Sequence, residues 1–521
     1  MALVMGLAAC VPRGPQPARM PTIIGLSPQD TVVVLGEPRV IATLPSVAPG
    51  RFDTGKMWTF ENPPLEYFAA EYGFRPSDEW LTRVRLAALR LPNCTASFVS
   101  PNGLVLTNHH CAREHAAAVS HAGEDLITNG FLAATTEDER RVPDLYLDQL
   151  VEIHDVTSEI QAAADPSQPE EAQVEARDAR VEEVEQRLSQ SRGLTCEVTS
   201  LYHGGKYSSY CYRRFDDVRL VFIPELTVGY FGGDPDNFTY PRYVLDVSFL
   251  RVYGPDGRAL RTDAFLPWSA TGPGAGEAVF VIGNPGSTSR LHTVAQLEYR
   301  RDFELPFTVR LLESRAAILK SYMDERPSEQ ATYVNDYFSI TNSLKAYTGE
   351  LRGLRTPELM ARKVAFERTF RDAVETDSAL AGEFGDLWDE IADIRAQIRQ
   401  LAPPLHGLTQ GGLLRSRTLE VGATMVQYAM AAGGGYLPDS VLAGVRAELQ
   451  ATRIDRALDA RILAAQLDDA ASLLGPDDSF IREALQGRAA ADAAAAIVDG
   501  SLLPDSTRRA ALLSDPTALM A

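Results

Sequence analysis

The stretch CTASFVSPNGLVLTNHHC, Cys94 to Cys111, decides how the rest of the chain is read. Two runs of β-forming residues, Thr95–Val99 and Leu104–Thr107, flank Ser100-Pro101-Asn102-Gly103, a strong turn signal. The stretch therefore reads as a β-hairpin whose second run ends in two histidines and a cysteine. A disulfide from Cys94 to Cys111 would staple this hairpin and hold His110 beside the staple. A general base needs geometry fixed in this way, because it must stay within hydrogen-bond reach of its partners. His109 is adjacent, so along a strand it would face the other way and take a packing role.

At 521 residues the chain is long enough for about three domains and a large core. Its hydrophobic and charged fractions are those of a soluble globular protein. A formal net charge of −20 argues against nucleic acid as a partner, since phosphate binding needs concentrated Lys and Arg. Among the five cysteines, Cys94/Cys111 and Cys196/Cys211 form two local pairs, which suits an oxidising compartment. Cys10 is left over. It ends Leu7-Ala8-Ala9-Cys10, which resembles a bacterial lipoprotein processing site, so residues 1–10 are a candidate signal with Cys10 acylated. No later run is long and apolar enough to span a bilayer.

Residues 11–50 hold many prolines and glycines and read as a tether. An amphipathic helix is expected over Asp78–Leu89, with Trp80, Val84 and Ala87 at helical spacing. Alternation makes Val142–Val156 a strand, and a charged helix follows over Glu171–Leu188 with Val174, Val181, Val184 and Leu188 on one stripe. Cys196–Tyr212 reads as a second hairpin turning at Gly204-Gly205 and crossed by the second cysteine pair. Val218–Pro224, Tyr243–Tyr253 and Ala278–Gly283 complete the strands. From about Val294 the pattern becomes helical to the C-terminus, as in Phe307–Met323, Pro357–Ala373, Phe384–Leu401 and the alanine-rich Arg488–Val498. The fold class is thus α+β: a β-barrel domain with insertions over 51–293, then a large α-helical domain over 294–521.

The hairpin resembles the two-barrel serine peptidases of the chymotrypsin type, where a histidine precedes a cysteine paired to one about sixteen residues upstream. More closely, the chain resembles the bacterial dipeptidyl-peptidase 7/11 family. Met57-Trp58-Thr59-Phe60 with Asn62-Pro63-Pro64 is similar to that family's opening motif, although Lys56 replaces its usual glycine. Asn129-Gly130-Phe131 matches its NGF turn. The segment GGDPDNFTYPRYVLD, Gly232 to Asp246, resembles its GGD-x-DNW-x-WPR-xxxD segment. The resemblance implies that His110 is the general base and that Asp246, expected on a strand, orients it. It also implies that Asn237 binds the substrate's free α-amino group and that Arg242 supports this site. Phe238 replaces the usual tryptophan, keeping an aromatic wall without the indole N–H. Asn342, in Ser339-Ile340-Thr341-Asn342-Ser343-Leu344-Lys345, matches a further asparagine of the amine site, carried by a helical cap.

The family's serine belongs to a GGNSGSP-like motif beyond the helical domain, and the 521 residues contain none. Ser287, in Gly283-Asn284-Pro285-Gly286-Ser287-Thr288-Ser289-Arg290, preserves the order His–Asp–Ser. Yet the strands before it suffice for one barrel only, and the segment resembles the family's GxPGxTxR turn, so it is not taken as the nucleophile. The final residues, Ser514–Ala521, resemble a helix of the family after which the second barrel resumes, and a fragment or truncated reading frame is expected. His109, His110, Cys111 and His115 offer four candidate zinc ligands within seven residues, but the order is no familiar zinc frame and no second cluster completes it. No metal or cofactor is expected. The resemblance implies an exported, periplasmic or outer-membrane-associated serine dipeptidyl-peptidase acting on peptides with a free N-terminus, and a homodimer. The alternative is an inactive, lipid-anchored pseudo-peptidase that binds peptide N-termini.

Overall fold

The computed structural model describes residues 47–48, 50, 55–229, 238, 242–285, 288–408, 412–434 and 437–514. Cys10, Asn237, Ser287 and most of the 11–50 tether lie outside the described residues. The chain divides into two compact units. One holds the described residues from Gly50 to Gly229 with Tyr243–His292; the other holds those from Thr293 onward, with Phe238 and Arg242.

The first unit is a ten-stranded antiparallel sheet. Its strands are β1 (Ala88–Arg90), β2 (Thr95–Phe98), β3 (Leu104–Thr107), β4 (Phe131–Leu132), β5 (Arg140–Arg141), β6 (Leu147–Asp155), β7 (Thr195–Leu201), β8 (Lys206–Phe215), β9 (Val218–Ile223) and β10 (Ser248–Val252). They follow the order β4-β9-β10-β3-β2-β1-β6-β8-β7, with β5 also on β9. Among the described residues this is an open path without the pairing that would close a barrel. Phe98, Val105, Leu147, Leu220, Leu250 and Val252 build its core. Ala112 and Ala116 of a helix that follows β3 pack into that core and cover one side of it.

The expected hairpin is present, with Ser97 opposite Leu106 and Phe98 opposite Val105. Gly103 sits at φ 67°, where a β-carbon would meet the Val252 carbonyl at 2.9 Å, so the turn requires glycine. Both expected disulfides form, Cys94–Cys111 and Cys196–Cys211, the latter directly across β7 and β8.

Four expectations fail. The helix over Asp78–Leu89 ends at Ala87, because Leu89 pairs with Ala96 on one side and Gln149 on the other, so sheet pairing overrides helix propensity. The strand expected over Val142–Val156 begins only at Leu147, since Asp144 after Pro143 takes φ 57° and breaks the extended run. The strand expected over Tyr243–Tyr253 shrinks to Ser248–Val252, leaving Asp246 on the loop before it. Ala278–Gly283 is no strand at all. Its Phe280 packs instead into an aromatic cluster with Phe68, Tyr72, Phe74 and Trp80, at ring distances of 5.2–6.3 Å. The Met57-Trp58 segment joins that cluster through Trp58 and is held by Arg290, which donates to the Met57 carbonyl.

The second unit is helical, as expected. Its first helix starts at Val294 because Thr293 and Gln296 form a reciprocal capping box. Helices Leu305–Glu325, Gln330–Leu354 and Pro357–Thr376 follow, then further helices to Ser506–Leu513. The helix expected over Phe384–Leu401 is split: Ser378–Phe384 ends one helix, and Leu387–Leu408 forms the next. Asp459 is almost fully buried and accepts from Ser416, from the Arg417 N–H and from the Thr418 N–H, fixing the start of helix Arg417–Gly434. No described helix is long and apolar enough to cross a membrane.

Candidate active site

The site begins where β3 ends. Thr107 is the last residue of that strand and lies opposite Ser248, the first of β10. The segment leaving β3 and the segment entering β10 therefore emerge side by side, which brings His110 to Asp246. The two histidines do not continue the strand as expected. Asn108 is extended, and helix α1 runs from His109 to Ala118. Cys111, in its first turn, is tied back to Cys94, so the disulfide joins the start of β2 to the start of the helix.

Asp246 is held from three directions. Nδ1 of His110 lies 2.9 Å from Oδ2 and 3.1 Å from Oδ1. The His110 backbone N–H donates to Oδ1 at 3.2 Å. Asn108 donates from Nδ2 to the Asp246 backbone carbonyl at 3.1 Å and to Oδ2 at 3.2 Å. The carboxylate thus caps the N-terminus of α1, where the helix dipole favours negative charge. Asn108 is a typical capping residue, but its amide grips Asp246 instead of closing on its own helix. The Asp246 side chain is 8% exposed and that of His110 31%, so the acid is sequestered while the ring reaches solvent. With a carboxylate accepting at Nδ1, the proton sits there and Nε2 carries the lone pair, the tautomer a general base requires.

Sequence reasoning missed two parts of this arrangement. One is the clamp by Asn108; an Asn directly after a β run and before His-His was the available sign of a helix start. The other is the burial of His109, which packs as expected but against something specific. Its ring is fully buried beside α2 (Leu226–Gly229), where the Gly229 backbone lies against it and neither ring nitrogen makes a well-formed hydrogen bond among the described residues. Burial, with the Arg113 charge adding to it, pushes the His109 imidazole down to about 4. Between about pH 6.5 and about pH 4 the unfolded chain binds a proton that the folded chain refuses, so stability falls as pH drops through that window. The loss should reach roughly 3 kcal/mol below pH 4, at about 1.4 kcal/mol per pH unit. Urea unfolding at pH 7 and pH 4.5 checks this, and His109→Phe should flatten that part of the slope.

The remaining expected site residues belong to the other unit. Phe238 is exposed with φ 57°, and Arg242 is exposed. Asn342 is half-buried in helix Gln330–Leu354. Asn237 is not among the described residues. The sulfurs of Cys94 and Cys111 cluster with His110 but are bonded to each other, so they offer no thiolate to a metal.

The disulfide-stapled His110 and the sequestered Asp246 thus meet where paired strands β3 and β10 end and begin. The profile of the family Peptidase S46 matches residues 52–521, and the chain belongs to that family. It is similar to "Dipeptidyl-peptidase 7" of Porphyromonas endodontalis, 32% identical over 291 residues that cover 53% of this chain and 35% of the relative. It is also 32% identical over 338 residues to the "Asp/Glu-specific dipeptidyl-peptidase" of Shewanella putrefaciens, covering 61% of this chain and 45% of that one. The alignments with these two relatives thus span between a third and a half of their length. In fold it is similar to crystalline Porphyromonas endodontalis DPP11 in complex with the dipeptide Arg-Glu, with TM-score 0.69 and 20% identity over 89% of this chain and 71% of that one.

Proposed function

We propose that the chain carries the histidine and aspartate of a serine-type dipeptidyl-peptidase that releases dipeptides from peptides with free N-termini. The observation that carries this reading is the 2.9 Å contact from His110 Nδ1 to Asp246 Oδ2 in a member of a peptidase family. His110 Nε2 takes the proton of a serine hydroxyl during attack and returns it to the leaving amine; Asp246 fixes the tautomer and stabilises the imidazolium. Asn237, Phe238, Arg242 and Asn342 form the amine site. A site that requires a charged α-amino group limits cleavage to chain ends, because a mid-chain amide has no charge to offer in its place. Relatives named as dipeptidyl-peptidases support this reading. Export, acylation of Cys10 as a membrane tether, and homodimer formation belong to the same proposal, and the two disulfides fit an oxidising compartment.

The test uses the protein expressed from its gene together with any in-frame sequence following Ala521. Dipeptide release from a free-N-terminus peptide, absent with the N-acetylated peptide, is expected. Asn237→Ala should raise KM for the free peptide about tenfold or more, as loss of a charge-assisted hydrogen bond implies. Equal cleavage of both peptides would overturn the exopeptidase reading, and unchanged kinetics in Asn237→Ala would remove that residue from the amine site.

A further inference from the structure

Gly229, the last residue of α2, faces the His109 ring so closely that no side chain fits between them. A β-carbon there would stand 2.5 Å from His109 Cγ, 2.6 Å from Cδ2 and 2.9 Å from Nδ1, well inside contact distance. Gly229 has no left-handed φ to explain a glycine, so the close approach is its structural reason. The same short helix reaches the proposed catalytic acid. The Val228 carbonyl accepts from the Leu245 N–H at 2.9 Å, and Leu245 precedes Asp246. Asp246 then returns to α1 through the His110 N–H, His110 Nδ1 and Asn108.

These contacts form a closed circuit: His109 on Gly229, Val228 to Leu245, Asp246 to His110, and His110 beside His109 in the chain. From this circuit we infer that His109 is a positioning residue, whose flat ring sets the spacing between α1 and α2 and thereby the distance from Asp246 to His110. The inference rests on the reading of His110 and Asp246 as the catalytic pair. Packing alone would be met by any apolar side chain filling the same volume. The ring's two buried nitrogens make no well-formed hydrogen bond among the described residues, with only the Gly229 backbone beside them, so the imidazole is a costly filler. Its thickness against a bare glycine is the feature that the rest of the circuit uses.

The readout is the Nδ1–H of His110, followed by NMR in ring-15N-histidine-labelled protein, where a proton held by a carboxylate resonates far downfield. Gly229→Ala should abolish or broaden that resonance, because the methyl group pushes the His109 ring and α2 apart. His109→Ala combined with Gly229→Ala removes the clash and should restore a sharp resonance relative to Gly229→Ala alone. If Gly229→Ala keeps the wild-type resonance, or the double variant is no better than the single one, the inference is overturned. Asp246→Asn separates the two readings. It must abolish the resonance; if it does not, the pairing of His110 with Asp246 fails. If Asp246→Asn abolishes the resonance while Gly229→Ala spares it, only the role of His109 fails. Should Gly229→Ala not fold, the comparison of His109→Ala with wild type carries the test, and an unchanged resonance there overturns the inference.

Discussion

Asp246→Asn is expected, on the proposed reading of the site, to lower kcat for dipeptide release about 10^4-fold while leaving KM nearly unchanged, the effect that inverting the histidine tautomer has in a serine-peptidase triad. The asparagine fills the same volume and still offers one carbonyl oxygen to the His110 N–H, now 3.2 Å away, so the helix start survives. Its amide nitrogen, however, would face His110 Nδ1 as a donor. The ring answers by moving its proton to Nε2, leaving no lone pair to accept the nucleophile's hydrogen. Asn108 adds to the loss, because its own Nδ2 donates to Asp246 Oδ2 and would oppose an NH2 group turned that way. The substituted side chain can thus satisfy either Asn108 or His110, not both. Steady-state kinetics on a free-N-terminus dipeptidyl substrate measure the effect. A kcat within tenfold of wild type would remove Asp246 from the mechanism.

How far this site was legible in the sequence depended on the range of the interactions. The hairpin could be read because Pro101-Asn102-Gly103 encodes its turn locally and the two cysteines lie at its ends. The start of the helical unit was visible as a change of period, and Thr293 with Gln296 supplies the capping that makes the boundary sharp. The pairing of His110 with Asp246 came from motif resemblance alone. Its physical cause, the register of Thr107 on Ser248, joins residues far apart in sequence and has no local signature. The failures at His109 and Phe280 share that cause. His109 was read with strand alternation because β propensity runs up to Thr107, whereas the helix starts in response to a carboxylate from Asp246. Phe280 lies in the strand expected over Ala278–Gly283, yet its neighbours Val279 and Val281 are exposed and the phenylalanine belongs to an aromatic cluster from the N-terminal segment. The contact between His109 and Gly229 could not be read either, because a glycine after an apolar run looks like any helix end.

Asp148→Ala should cost the first unit about 3–5 kcal/mol, the usual consequence of removing one member of a buried charge network. The Asp148 side chain is fully buried on β6, between Arg90 of β1 and Arg214 of β8. Arg214 grips it twice, at 2.8 and 2.9 Å, and Arg90 donates at 3.0 Å. Glu197 of β7 takes Arg90 at 2.7 and 2.9 Å and, with Asp148, holds its guanidinium above its usual range against the opposing effect of burial. Tyr212 and Tyr146 lie under the two guanidinium groups at 4.1 and 3.6 Å, so each arginine is fixed on its face as well as its edge. Alanine would leave the half-buried Arg214 without its carboxylate and Arg90 with Glu197 alone, and the repulsion between the two guanidinium groups would fall on strands β1, β6 and β8 together. The expected shift in Tm is on the order of 10 °C for a unit of this size. Exchanging all three residues at once, Arg90→Met with Asp148→Leu and Arg214→Met, should recover most of that loss, since an apolar replacement for a whole buried network is often neutral. Equal destabilisation in the single and triple variants would mean that packing volume, not charge pairing, holds these strands together. The network lies across the β1-β6-β8-β7 half of the sheet, whereas His110 and Asp246 hang from β3 and β10. Asp148→Ala should therefore shorten the half-life at elevated temperature without shifting the His110 Nδ1–H resonance at low temperature. A change in that resonance would mean that the two halves of the sheet are mechanically coupled through β2.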